Sequence, residues 1–344
     1  MPKIITVNGE IRPDELGFTL THEHLFTDIR FYWRGETEDV TLNKLFRQPI
    51  SLENHAEAKY YPWHFKDNLV IDDVEERIEE VGNFVKYGGN SIVDVTPTNK
   101  MGRNPIQLRL VSRATGANII MSSGLYAAAA CTEEQNKWSA EDVADYIENE
   151  FLHGVGDTGI KPGVIKIAIN FMESRTEIEH LRGAGLAQKR IGAALYVHPV
   201  IWEKRDLDIL DILEEQGADP HKVVFCHQDF TGHCPEYHDA VAKRGAFIEI
   251  DTFGCESVAK WDEDLWFLSD QQKIDIIKKQ LELGNLEHLL ISGDLCLKIF
   301  FKRYGGWGYE HIPKHIVPRM RKNGISNDAI RKITIENPNR LLRF

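Results

Sequence analysis

Nowhere in its 344 residues does the chain hold an apolar run of about 18, the length a membrane-spanning helix requires. The opening stretch "MPKIITVNGEIRPDE" has no signal-peptide apolar core or cleavage site. Cysteine is scarce, with only Cys131, Cys226, Cys234, Cys255 and Cys296, and no C-x-x-C pair. Odd in number and widely spaced, these read as reduced thiols of a cytoplasmic protein, buried as small hydrophobes, and not as a disulfide framework. Positive charge is also short: 41 Lys and Arg against 53 Asp and Glu leave a formal net charge of -12. That excludes the basic stripe a nucleic-acid partner needs and offers nothing to an anionic membrane. There is no Gly-rich phosphate cradle, low-complexity segment, Pro/Ser-rich linker or short tandem repeat. Residues 1–344 are therefore expected to form one domain acting on a small molecule.

What is present is a rhythm. Eight short β-branched runs recur: "FTLTHEH", "NSIVDVTP", "NIIMSSGLY", "GVIKIAI", "ALYVHPV", "KVVFCHQD", "AFIEIDTFG" and "LLISGD". Most are apolar almost throughout, as strands buried on both faces are. Helical patterns separate them. "DDVEERIEEVGNFVKYG" carries a stripe of Val74, Ile78, Val81 and Val85 and stops at a Gly-Gly pair. "SAEDVADYIENEFLHG" opens on Ser139 as a cap, places acids in the first turn and ends at Gly154. Strands alternating with helices eight times predict an α/β fold, a (β/α)8 TIM barrel. One irregularity stands out: about residues 25–70, between the first strand and first helix, carry Trp33, His55, Trp63 and His64. The aromatics predict an ordered loop capping the barrel mouth.

In such a barrel the chemistry sits at the C-terminal strand ends. In "THEH", alternation aims His22 and His24 to one face and Glu23 away. The fourth strand carries Lys166, the fifth ends at His198, the sixth at His227 and the eighth at Asp294. Four imidazoles and a carboxylate exceed the three protein ligands of a catalytic zinc and suit two divalent cations sharing a hydroxide. A protonated lysine has no lone pair to offer. Lys166 joins such a site if neutral, and best as a carbamate (N6-carboxylysine) whose two oxygens bridge two ions. Zinc suits the histidines, and manganese, cobalt or iron accept the same donors.

These motifs, with the closing "ENPNRLL", resemble the phosphotriesterase family of the amidohydrolase superfamily, from about residue 15 to the C-terminus. "YGGWGYEHI" and "VPRM" look most like its phosphotriesterase-related branch. The resemblance implies that His22, His24 and Asp294 hold the more buried metal, that His198 and His227 hold the more exposed one, and that carboxylated Lys166 bridges them. Asp294 would take the proton of the attacking hydroxide. Tyr126, in "SSGLY", looks like the tyrosine that some lactone-cleaving relatives place beside the metals. A homodimer follows by the same analogy.

The bond cleaved is narrowed by what the chain lacks. Triesterase members carry an Asp/His proton-relay pair, and here Phe230 and Thr252 fall at those places. The phosphotriesterase-related look leaves a carboxylic ester, lactone or N-acyl amide as substrate, with a phosphoester or phosphonate ester as the alternative. A non-catalytic binding protein on the same barrel is a further reading, opposed by the intact ligand set. Asp229, Trp202, Lys204 and Arg205, on loops past the strand ends, read as solvated or structural. The other histidines, His64 and His311 among them, read as surface or packing residues.

Overall fold

The computed structural model describes residues 2–260 and 265–344. All eight expected strands form, at Thr19–Glu23, Ser91–Asp94, Asn118–Gly124, Val164–Ala168, Ala194–His198, Val223–Phe225, Phe247–Ile250 and Leu289–Ile291. They lie in one eight-stranded sheet in sequence order, each neighbouring pair parallel. The sheet closes between last and first strands through single bonds in place of a regular ladder. The His22 amide donates to Ser292 Oγ at 2.9 Å and the Asp294 amide to the His22 carbonyl at 3.1 Å. The result is a (β/α)8 barrel.

The helices start and stop where their chemistry says. Val74–Lys86 begins after Asp73, whose carboxylate accepts the Glu76 amide. Ala140–His153 opens on a reciprocal Ser139/Asp142 capping box, and Gly154 follows it at φ 92°. Inside the barrel, Ile120, Val164, Tyr196, Val224 and Phe247 are fully buried. Ile4 and Leu16 from the N-terminal segment and Leu341 and Leu342 from the C-terminal one join the same cluster. Both termini thus plug the barrel end opposite the site. Among the described residues no helix is long and apolar enough to cross a membrane.

The segment after the first strand has structure of its own. It holds the short helices Val40–Phe46 and His55–Tyr60 and a two-residue ribbon pairing Thr27–Asp28 with Val70–Ile71. Phe26, Phe46, Ile50, Phe65 and Leu69 are buried within the larger core. His64 stacks on Phe46, with centroids 5.0 Å apart, which makes it a packing residue. The segment reaches the seventh and eighth strand loops, where Trp63 Nε1 donates to the Ala259 carbonyl and the Ile299 amide donates to Asn68 Oδ1.

Candidate active site

The six expected side chains converge at the C-terminal strand ends. His22 Nε2 and His24 Nε2 face Asp294 Oδ1 at 3.5 and 3.3 Å. His22 and His227 rings lie 5.0 Å apart, and His198 Nδ1 meets His227 Nε2 at 2.8 Å. Lys166 is 1% exposed, and its Nζ donates to Cys226 Sγ at 3.2 Å. It lies within electrostatic reach of His22 and His198. Tyr126 joins the group, its hydroxyl 3.2 Å from His198 Nδ1.

Three of the four imidazoles are aimed by what holds their other nitrogen. His24 Nδ1 pairs with Thr96 Oγ1 at 2.7 Å, leaving Nε2 for the centre. His227 Nδ1 donates to Asp251 Oδ1 at 2.9 Å. His22 Nδ1 has two buried carboxylates, Asp251 Oδ2 at 2.8 Å and Glu249 Oε2 at 3.1 Å. Such outer contacts fix tautomer and orientation. Asp251 and Glu249 were not singled out from the sequence, although two acids at i and i+2 in the apolar run "AFIEIDTFG" are a signal, since both point to one face of a buried strand.

Glu23 turns away from the histidines, as alternation requires, and takes on a structural task. Its carboxylate accepts Ser292 Oγ and the amides of Gly293 and Leu295 at 2.7–3.1 Å, fixing the turn that presents Asp294. Burial pushes Glu23 up to about 8. Burial alone would raise Asp294 and Asp251 as well, but His22, His227 and, for Asp294, His24 outweigh it and hold both below the usual carboxylate range. Burial and the neighbouring His227 and Lys166 drive His198 well below 6.5, so its ring is neutral.

The other sequence assignments sort as follows. Asp229 is not solvated: it is 1% exposed, and its Oδ2 accepts the Thr252 hydroxyl. The buried Lys273 acts on it electrostatically, so this acid is structural, the second of the two readings its position allowed. Arg205 is engaged with Glu203 and Asp208 at the surface, and Trp202 packs on Phe230 at 4.9 Å. Cys226 is buried but, as the partner of Lys166, is more than a small hydrophobe.

The buried carboxylates of Asp251 and Glu249, the half-buried one of Asp294 and ring nitrogens directed inward form a nitrogen–oxygen donor set that fits cationic charge at the centre. His22, Cys226, Glu249 and Asp251 also cluster within ligand reach of one another. That second group lies on the Nδ1 side of His22, already hydrogen-bonded, so it serves the first as support. A (β/α)8 barrel with such strand ends is the frame of a hydrolase. The chain belongs to the phosphotriesterase family, whose sequence model matches residues 2–342. It is 33% identical to the N-acetyltaurine hydrolase of Dictyostelium discoideum, over 99% of this chain and 97% of that one. It is 34% identical to a phosphotriesterase-related protein of Nematostella vectensis, over 98% of each. The crystal structure of a resiniferatoxin-binding protein from Rhodobacter sphaeroides superposes with a TM-score of 0.94 at 36% identity, covering 99% of this chain and 94% of that one.

Proposed function

We propose that residues 1–344 act as one binuclear metal-dependent hydrolase domain cleaving an N-acyl amide, lactone or carboxylic ester of a small molecule. The observation that carries this is the inward set of ring nitrogens, three of them with the opposite nitrogen held by an oxygen, around Asp294 and Lys166. His22, His24 and Asp294 would hold one ion, His198 and His227 the other, with Lys166 between them as a carbamate. When bound, two divalent cations supply a hydroxide at neutral pH and polarise the substrate carbonyl.

The residues of the chain do the rest. Asp294 would be kept ionised by the bound cations, accept the nucleophile's proton and return it to the leaving group. Tyr126, beside His198, orients the acyl group. The amide reading draws support from relatives named N-acetyltaurine hydrolase. Phe230 and Thr252 supply no proton relay of the triesterase kind. Metal analysis should give about two ions per chain, and Asp294→Asn, assayed metal-replete, should keep the fold yet cut turnover by several orders of magnitude. Near-parental turnover in that variant would overturn the assignment of Asp294, and absence of tightly bound metal would overturn the whole reading.

A further inference from the structure

The long segment after the first strand delivers one polar group to the site that the mechanism above does not use. Tyr32 closes the turn Arg30–Tyr32. Its ring meets Tyr126 edge-on at 6.5 Å and Trp63 at 6.0 Å, and the two tyrosine hydroxyls interact. Asn170, four residues beyond Lys166, donates from Nδ2 to the Tyr32 oxygen at 3.3 Å. Cys296, two residues beyond Asp294, lies beside both tyrosines. Groups from the loops of strands one, three, four and eight therefore meet at Tyr32. One buried carboxylate fixes two of these loops. Glu177 accepts the Ala128 amide through Oε1 and those of Asn170 and Phe171 through Oε2.

Because Asn170 occupies the Tyr32 oxygen as a donor, the Tyr32 proton is directed elsewhere. Tyr126 is its neighbour, and the Tyr126 hydroxyl in turn faces His198 Nδ1. If His198 gives that lone pair to a cation, as proposed above, it ceases to accept from Tyr126. With the two hydroxyls bonded to each other, one hydroxyl proton of the pair then lacks a fixed acceptor beside the reacting centre. We infer that Tyr32 is a substrate-contacting residue whose hydroxyl, with that of Tyr126, hydrogen-bonds the carboxamide or lactone group of the substrate. A neutral hydroxyl donor suits the carbonyl oxygen of an amide or lactone. The inference rests on the hydrolase reading.

The test compares metal-replete parent, Tyr32→Phe and Tyr126→Phe on N-acetyltaurine and δ-valerolactone. Phenylalanine preserves the ring contacts with Phe31, Tyr126 and Trp63. Tyr32→Phe should keep the parental metal content and melting temperature while kcat/KM falls about tenfold or more. A role in packing alone predicts unchanged kcat/KM, and that result would overturn the inference even if Tyr126→Phe is impaired. A parent that binds two ions but hydrolyses neither probe fails the proposed function instead. Calorimetric binding of the same probes then decides: weaker binding by Tyr32→Phe sustains the contact, and equal or no binding by both proteins overturns it.

Discussion

Asp251→Asn isolates the support of the candidate metal ligands. Asp251 is fully buried, and its two oxygens serve three donors: His227 Nδ1 at 2.9 Å, His22 Nδ1 at 2.8 Å, and the His227 amide at 3.0–3.1 Å. Asparagine has the same shape but one acceptor oxygen. If that oxygen stays on His227, the amide NH2 faces the N–H of His22, donor against donor. His22 then keeps only Glu249 at 3.1 Å, or moves its proton to Nε2, the nitrogen a cation needs. One charge-assisted hydrogen bond is lost, about 1.5–3 kcal/mol. Removal of an outer partner of a ligating histidine lowers metal affinity about 10–100-fold, which converts to about 1.4–2.7 kcal/mol, so the two routes agree. The metal-free variant should lose stability as well, because the ionised Asp251 is favoured in the folded state by His227 and His22. Competition titration of Zn2+ against a chelator, with thermal unfolding in excess chelator, reads both quantities. Parental zinc affinity in Asp251→Asn would refute the claim that these bonds aim the imidazoles.

Two further expectations concern the frame. Glu80 is buried, which pushes it up to about 7, and among the described residues its Oε2 has no hydrogen-bond partner. The folded state therefore holds this proton more tightly than the unfolded chain. The associated stability is fully present below about pH 4.5 and lost as pH rises through 7, about 3 kcal/mol in all. Glu80→Gln should flatten the urea midpoint between pH 5.5 and 8, and an unchanged slope would count against the assignment. Gly124 has φ 142°, and a β-carbon there would lie 1.9 Å from the Lys166 carbonyl oxygen. Gly124→Ala should cost more than about 3 kcal/mol or prevent folding, since the clash falls where strands three and four pair. A variant with parental denaturation behaviour would contradict it.

Much of the fold could be read because each signal was local. All eight strand runs and the helix cap at Ser139 depend on a few adjacent residues. The six converging side chains could be read because barrel geometry converts strand-end positions into neighbours. Asp251 and Glu249 follow the same rule and were still overlooked, since an acid in a strand names no partner until the facing strand is known. Tyr32 was beyond reach for another reason. Its place at the site depends on how a segment of some forty residues folds back over the strand ends, which no periodicity specifies.

The backbone shows why the acids beside the candidate ligands matter as much as the ligands. Among the described residues, the non-glycine positions with positive φ are His227 at 59° and Asp294 at 47°. Asp and His enter that region more often than most residues, yet each such conformation still costs on the order of 1–3 kcal/mol and persists where the surroundings enforce it. Both are enforced by side chains one strand away. Asp251 takes the His227 amide, while Glu23 takes the amides of Gly293 and Leu295 on either side of Asp294. Glu23 is the residue that strand alternation aims away from the histidines of "THEH". Its place between them is what lets one strand both supply two imidazoles and, from its opposite face, set the carboxylate that opposes them.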